Sequence, residues 1–227
     1  LLLEFLSAAH GDLVFKGGTC LAKVHADFYR LSEDLDFVIP MPTGASRAAR
    51  SKKAERLKGI IASLPDTFSS VKVLEPLAGA NNSMQYNALV GYTSTLGQRA
   101  ETIKIEVGLR EPLLQPPVQG EAKTILLDPV SGRRLIPAKA VRCISQTEAF
   151  AEKFRAAFTR QDVAIRDFFD IDYAIRTLGL EPTDKELVGL VEAKLAVPGN
   201  EPVNVSPVRL ATLRQQLASQ LRPVLRE

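Results

Sequence analysis

The chain has 227 residues, of which 45% are hydrophobic and 24% charged, and its formal net charge is +3 at pH 7. These values are typical of an ordinary globular protein with one large or two small domains. No apolar run reaches membrane length and no signal-peptide pattern is present, so we expect a cytoplasmic protein that does not enter a membrane. The chain begins with Leu-Leu-Leu rather than methionine, and we expect natural sequence to precede Leu1.

The first segment with a clear chemical meaning is Phe15-Lys16-Gly17-Gly18-Thr19. An apolar strand end leads into two glycines and then into a helix predicted at about 19–29. The N–H groups of such a turn, together with the helix N-terminus, favour an anion, which predicts a phosphate-binding cradle. The alternative is a plain tight turn. Neither the P-loop motif nor the GxGxxG fingerprint occurs, so those two modes of phosphate binding are excluded.

The second segment is Arg30-Leu31-Ser32-Glu33-Asp34-Leu35-Asp36-Phe37, which places two carboxylates two residues apart in an apolar run. Residues i and i+2 of a strand share a face, so Asp34 and Asp36 should point the same way. Leu35 and Phe37 would then pack into the core. Two like charges on one face repel each other, so the pair suggests a bound cation, although a solvated face is the alternative.

A third carboxylate lies in Thr102–Gly108, where apolar residues alternate with Lys104 and Glu106. If this strand lies beside the first acidic strand, Glu106 joins Asp34 and Asp36. Three acids from two neighbouring strands can hold two divalent ions, and Mg²⁺ neutralises charge that develops during phosphoryl or nucleotidyl transfer. The alternative is that Lys104 and Glu106 simply face water.

The pattern of strands and helices predicts an α/β fold in which a mixed sheet with flanking helices precedes a mainly helical lobe. We predict an α/β lobe at 1–111, a proline-rich extended crossing segment at 112–142 and a helical lobe at 143–227. A second helix of the first lobe is predicted at about 46–64. Helix starts in the second lobe are predicted at Ser145, Thr183 and Ser206 from capping boxes and an N-cap followed by proline. The predicted strands are Leu13–Phe15, Leu35–Ile39, Val71–Leu74, Tyr86–Tyr92 and Ile103–Val107.

Basic residues fall into two groups that could bind nucleic-acid phosphates, although a solvated face is the alternative for each. Aromatic residues make up only 6% of the chain, so broad base stacking is not favoured. The first group is Arg47, Arg50, Lys52, Lys53, Arg56 and Lys58, and the second is Arg133, Arg134, Lys139 and Arg142.

The cysteines, Cys20 and Cys143, show no metal-ligand spacing in the sequence, and we expect buried or reduced thiols. The two histidines, His10 and His25, have no sequence neighbour that suggests catalysis or zinc.

Four segments, taken in this order, resemble the nucleotidyltransferases of the AbiEii/AbiGii toxin type, which belong to the DNA polymerase beta-like nucleotidyltransferase superfamily. The resemblance runs from about Leu13 to about Leu178. The segments are Lys16–Leu21, Arg30–Asp36, Ile103–Val107, and the helical pair Ala151–Ala156 and Arg166–Asp170.

This resemblance implies an Mg²⁺-dependent toxin of a toxin–antitoxin system that transfers NMP from an NTP to an RNA acceptor, with tRNA the expected class, and releases pyrophosphate. It also implies two Mg²⁺ ions and a cognate antitoxin protein. The implied nucleotide-binding residues are Lys16, Gly17, Gly18, Thr19, Ser32 and Asp170. The implied catalytic residues are Asp34, Asp36, Glu106 and Lys153, of which Asp34, Asp36 and Glu106 are the metal ligands.

Taken without the family resemblance, the residues of the helical pair allow other interpretations. Lys153 could be a surface lysine whose stem lies along apolar neighbours. Asp167 and Asp170 could form structural salt bridges with arginine, and Lys153 is a candidate partner because a carboxylate among apolar residues needs a cation. For the whole protein, the alternatives are transfer to a small-molecule or protein hydroxyl, or a non-catalytic nucleotide-binding module.

Overall fold

The structure, a computed structural model, describes residues 1–94, 97 and 99–225. The chain divides into two compact units. The sheet unit comprises Leu1–Asp27 and Ser32–Ile144, and the helical unit comprises Phe28–Leu31 and Ser145–Glu227. The predicted α/β class, a mixed sheet followed by helices, is confirmed.

Within the described residues, the sheet unit contains one seven-stranded sheet in the order β3-β4-β5-β2-β1-β7-β6. The pairs β2/β5 and β1/β7 are parallel, whereas β1/β2, β3/β4, β4/β5 and β6/β7 are antiparallel. The strands are β1 Val14–Lys16, β2 Leu35–Val38, β3 Val71–Ala80, β4 Gln85–Thr93, β5 Ala100–Gly108, β6 Val118–Ala122 and β7 Lys139–Cys143.

The centre of the sheet is apolar, which is why short strands are stable there. The ring centroids of Phe15 on β1 and Phe37 on β2 lie 5.5 Å apart, and both side chains are buried. Ile105 and Val107 on β5 are buried as well. Buried aromatic pairs of this kind contribute about 1 kcal/mol beyond the area they remove from water.

Helices of the sheet unit are α1 Leu2–Ala9, α2 Gly17–Cys20, α3 Arg47–Ala62 and α4 Leu64–Thr67. Ser46 caps α3 by accepting a hydrogen bond from the Ala49 N–H at 3.2 Å. The buried stripe of α3 includes Ala54, Leu57 and Ile61, at the three- and four-residue spacing of an amphipathic helix. This stripe places α3 against β3.

The helix predicted at about 19–29 is shorter and begins earlier than expected. It starts at Gly17 and passes from α2 into a π-helical turn at Leu21–His25. Asp27 and Phe28 follow with φ of 47° and 61°, in the left-handed region that ends a right-handed helix. The sequence carries no glycine there to signal this stop.

The segment 112–142, predicted as an extended crossing, instead contributes β6 and β7 to the sheet. The register of the β1/β7 pair sets Cys143 beside Phe15, and Val141 and Cys143 are buried. Because this strand is stabilised by a partner far away in the sequence, its short alternation was too weak to recognise locally.

The helical unit contains α5 Gln146–Thr159, α6 Ile165–Thr177, α7 Lys185–Leu195 and α8 Pro207–Gln216. Ser145 and Ser206 cap α5 and α8 as predicted. The cap of α7 is Asp184 rather than Thr183, because the Asp184 carboxylate accepts from two backbone N–H groups, those of Glu186 and Leu187. Among the described residues, no helix has both the length and the apolarity to cross a membrane.

Candidate active site

The acidic residues of the sheet unit meet at neighbouring strands. In the parallel β2/β5 pair, Asp36 stands directly opposite Glu106. Leu35 and Phe37 are buried on β2, so alternation turns Asp36 to the opposite face, where it is half-buried. Adjacent strands lie about 4.8 Å apart, which brings the two carboxylates to one patch. Asp34 is exposed and lies one residue before β2 begins.

The glycine turn lies against these acids. Gly17 has φ +74°, and a Cβ there would come within 2.7 Å of both Cβ and Cγ of Asp36. Glycine is therefore required at this position for two reasons, its backbone conformation and the close approach of the Asp36 carboxylate. Lys16 is the register partner of Asp36 in the β1/β2 pair. The predicted cradle and the predicted metal ligands are thus in contact.

A hydroxyl pair joins the cradle to the loop before Asp34. Thr19 Oγ1 and Ser32 Oγ lie 2.8 Å apart, within hydrogen-bonding distance, and Thr19 is buried. Either hydroxyl can donate. Gly18, between Gly17 and Thr19 in α2, completes the set of predicted cradle residues. Residues separated in the sequence by the whole Leu21–Leu31 stretch are therefore held as one local assembly.

The pKa of Lys104 shows how the negative charges of the acidic patch act together. Its ammonium forms an ion pair with Glu106. The pKa of Lys104 is raised, first by the hydrogen bond to Glu106 and then by the negative charges of Glu106, Asp34 and Asp36. Partial burial opposes this rise in pKa and is second in size only to the hydrogen bond. All three acids therefore act on one cation, although Lys104 itself was not predicted as a site residue.

The donor set of the patch fits a divalent ion. Carboxylate oxygens on adjacent strands are the hard ligands that Mg²⁺ accepts, and backbone N–H groups at the Gly17 turn suit phosphate. A metal would compete with the Lys104 ammonium for Glu106. Because Lys104 is nearly half exposed, at 47% of its side chain, the ion pair is a weak competitor.

The charged residues predicted in the helical unit form a separate, buried network. Lys153 Nζ lies 2.9 Å from Asp167 Oδ1 and 2.8 Å from Asp170 Oδ2. Arg30 donates to both oxygens of Asp170, from Nε at 2.5 Å and Nη2 at 2.8 Å. Arg160 Nη1 lies 3.0 Å from Asp167 Oδ2. Asp170 is fully buried, and both of its oxygens are engaged.

The pKa shifts in this network follow from burial and pairing. Burial alone would raise the pKa of Asp170, but the Lys153 charge and the Arg30 hydrogen bond outweigh burial and lower it. Burial alone would lower the pKa of Lys153, and the charges of Asp170 and Asp167 instead raise it. Tyr29, beside this network, has a raised pKa because it is buried and faces Asp170. Asp170 and Lys153 are therefore charged at neutral pH, and Tyr29 is neutral.

Arg30 is the member that the sequence did not single out. It is buried, although it lies in the same Arg30–Asp36 segment that carries the acids. Only Arg30 and Leu31 of this segment belong to the helical unit, where the Leu31 N–H donates a hydrogen bond to the Val224 carbonyl at 2.8 Å. An arginine in an otherwise apolar and acidic motif was the available signal.

The comparisons with known proteins agree on family and fold. The family model described as nucleotidyl transferase AbiEii toxin, type IV toxin–antitoxin system, matches residues 1–227. No protein with curated annotation matches the chain.

Two solved structures share the fold at low sequence identity. One is MenT4, a nucleotidyltransferase toxin from Mycobacterium tuberculosis H37Rv, with 20% identity and a TM-score of 0.53 over 96% of this chain and 79% of that one. The other is JHP933 from Helicobacter pylori, with 17% identity and a TM-score of 0.50 over 97% of this chain and 87% of that one. Since the family model spans the whole chain, this protein belongs to the AbiEii nucleotidyltransferase toxin family of type IV toxin–antitoxin systems.

Proposed function

We propose that this nucleotidyltransferase transfers NMP from an NTP to an RNA acceptor, with tRNA as the favoured class, using Mg²⁺ held by Asp34, Asp36 and Glu106. The observation that carries this proposal is the pairing of Asp36 with Glu106 across β2/β5, with Gly17 packed against Asp36. A phosphate cradle in contact with paired carboxylates suits nucleotidyl transfer.

Each residue then has a distinct task. The backbone at Gly17, Gly18 and Thr19 would bind the triphosphate, with Lys16 beside it and Ser32 holding Thr19 in place. Two Mg²⁺ ions would neutralise charge on the transferring phosphate and on the leaving pyrophosphate. These tasks use only the sheet unit.

The chemical step is an in-line displacement. The acceptor hydroxyl oxygen bonds to the α-phosphorus, the bond from that phosphorus to the bridging oxygen breaks, and pyrophosphate leaves with that oxygen. Glu106 would accept the proton of the attacking hydroxyl, which requires its carboxylate to leave the Lys104 ammonium.

In the helical unit, we propose that Lys153 has the catalytic role that the family resemblance implies, since its ammonium has a third donor position beyond the two carboxylates. Asp170 is better suited to positioning than to direct nucleotide binding, because it is fully buried between Arg30 and Lys153. We therefore propose that Asp170 acts through Lys153.

RNA as acceptor has modest support from a basic cavity of about 580 Å³ in the sheet unit. Its lining includes Lys52, Lys53 and Arg56 of α3, of which Lys53 pairs with Asp12 at 2.7 Å and Arg56 donates to the Ala9 carbonyl at 3.0 Å. Another predicted RNA-binding residue has a purely structural task. Arg50 is buried and donates to the carbonyls of Ala45 and Asn82.

The second basic group is also largely engaged within the chain. Arg134 donates to Asp27 and to the Thr124 carbonyl, and Lys139 pairs with Glu4 at 3.0 Å. Arg142 donates to the Gly11 carbonyl. Because these basic side chains are engaged, fewer cations are available for RNA phosphates. Transfer to a small-molecule or protein hydroxyl is therefore the second candidate.

The deciding experiment incubates the chain with each α-labelled NTP, Mg²⁺ and total cellular RNA, and resolves the products by size. We expect label in RNA, in the tRNA fraction, and none with Asp36→Asn. Label that enters protein or small molecules would contradict the RNA acceptor but not the transferase chemistry. Rescue of growth by a co-expressed cognate antitoxin tests the partner that the family implies.

A further inference from the structure

A second cluster of ligand-type side chains lies in the sheet unit, apart from the acidic patch. Cys20, His25 and Cys143 each place one ligand atom within 4.8 Å of the other two. Both cysteines are fully buried, while His25 is half-buried. The sequence did not indicate this group, because Cys143 reaches it only through the pairing of β7 with β1.

The histidine ring has the orientation of a metal ligand. His25 Nε2 lies 3.1 Å from the carbonyl oxygen of Ile144. A carbonyl only accepts hydrogen bonds, so Nε2 carries the proton and the neutral ring keeps its lone pair on Nδ1. Metal-binding histidines typically donate their second N–H to a carbonyl or carboxylate in this manner.

The two sulfur atoms interact with each other as well. The Cys20 thiol donates a hydrogen bond to Cys143, and this contact is the largest cause of a lowered pKa at Cys143, against which burial acts in the opposite direction. Gly120 on β6 packs closely on the same sulfur, since a Cβ there would come 2.9 Å from Cys143 Sγ. The cluster is therefore tightly enclosed.

The charge balance selects the ion. Two thiolates and one neutral imidazole carry a charge of −2, which a divalent cation cancels, whereas Cu⁺ would leave a net negative charge in a buried site. Sulfur and imidazole ligands favour Zn²⁺ over Mg²⁺. Three protein ligands leave one tetrahedral position for water, and the half-buried His25 edge gives access.

We propose that Cys20, His25 and Cys143 form a Zn²⁺ site that ties the end of α2 and the following π-helical turn to β7. Binding releases the thiol protons to solvent and forms two Zn–S bonds and one Zn–N bond. Cys20 lies in the same short helix as Gly17, and Cys143 stands beside Phe15 on β1. The ion would brace the phosphate cradle from behind, and it would do so whatever acceptor the enzyme uses.

The test is a metal titration of the full chain, purified under reducing, metal-free conditions. Co²⁺ is added first, because thiolate ligands give Co²⁺ an intense near-ultraviolet charge-transfer band that carboxylates do not. We expect one Co²⁺ per chain with this band, complete displacement by one equivalent of Zn²⁺, and no displacement by excess Mg²⁺. Zn²⁺ should also raise the Tm by about 4 °C or more.

Variants assign the band to the three residues. Cys20→Ser, Cys143→Ser and His25→Gln should each weaken Zn²⁺ binding by at least about 100-fold, since losing even an outer-sphere partner costs 10–100-fold. His10→Gln is the matched control, because His10 is the other histidine of the chain, and it should bind Zn²⁺ as the wild type does. Asp36→Asn should keep the band, which separates this site from the acidic patch.

The wild-type titration alone decides the proposal, even if a variant fails to fold. Absence of the charge-transfer band, Zn²⁺ that does not displace Co²⁺, or a band that survives the Cys20→Ser/Cys143→Ser double change would overturn it. So would a count of zero titratable thiols in denatured protein from a parallel preparation without reductant, because that result would reveal a disulfide.

Discussion

The acidic patch of the sheet unit and the charge network of the helical unit are built from the same residue types, carboxylates and basic side chains, but differ in how far these are buried and paired. In the patch, Asp34 is exposed, Asp36 and Glu106 are half-buried, and the lysine beside them is largely solvated. In the network, Asp170 and Arg30 are both buried, and Arg30 donates a hydrogen bond to each carboxylate oxygen of Asp170. A carboxylate that water can still reach is able to exchange its partner for a metal. A carboxylate that is fully buried and paired stabilises the fold, and breaking its ion pair is costly.

The largest expected effect is on catalysis. Asp36→Asn removes one negative ligand without changing side-chain volume, so it should lower kcat by about 10³-fold or more while the Tm stays near that of the wild type. Glu101→Gln, an exposed change on the same strand as Glu106, is the control and should be silent. Turnover of Asp36→Asn within threefold of wild type would remove Asp36 from the metal site.

The opposite result is expected at Asp170. Asp170→Asn leaves the buried Arg30 charge without its carboxylate and leaves Lys153 with Asp167 alone, which should reduce the free energy of unfolding by about 3–5 kcal/mol. Asp172→Asn on the same helix breaks only the exposed pair with Arg176 and should cost at most about 0.5 kcal/mol. Urea denaturation measures both. Equal losses in the two variants would mean that the buried network does not stabilise the helical unit.

The cradle is tested by a pair of glycines with the same backbone conformation. Gly17→Ala adds a Cβ at φ +74° against Asp36, whereas Gly132→Ala adds one at φ +66° with nothing within 4 Å. Both should lose about 1–2 kcal/mol of stability from the left-handed backbone. Only Gly17→Ala should also weaken NTP binding, by about tenfold, as measured by calorimetry. If NTP affinity is unchanged, the glycine turn does not bind phosphate.

The pH dependence of stability should differ between wild type and Asp170→Asn. The lowered pKa of Asp170 contributes stability above the carboxyl group's unfolded value, about 4, and this is lost as pH falls through the lower folded value. The raised pKa of Lys153 contributes below about 10.4 and is lost as pH rises through its folded value. We expect wild-type stability to decline at both extremes, and the acid decline to be shallower in the variant.

The smallest effect is expected at Lys104. Lys104→Gln removes the cation that competes for Glu106, so half-maximal activity should need two- to fivefold less Mg²⁺, a change of less than about 1 kcal/mol for an exposed pair. Lys72→Gln, an exposed change on β3, is the control. A higher Mg²⁺ requirement in Lys104→Gln would instead assign Lys104 a role in substrate binding.

Local patterns in the sequence were sufficient for features that depend on near neighbours. The alternation around Glu106, the glycine turn at Gly17 and the caps at Ser145 and Ser206 each arise from short-range sterics and hydrogen bonds. The order of these glycines and acids along the chain also carried the resemblance to the family, and the family model matches the chain. The predicted roles of all the site residues remain predictions.

Only the tertiary structure decided which charges are paired and which distant segments meet. Arg30 joins Asp170, and Cys143 joins Cys20 and His25, and the residues of each of these three pairs are more than a hundred positions apart in the sequence. The segment 112–142 became two strands because β1 offered an edge, not because its own sequence favours strand strongly. Burial and pairing are properties of the packed chain, since desolvation and long-range hydrogen bonds act only after folding brings the groups together.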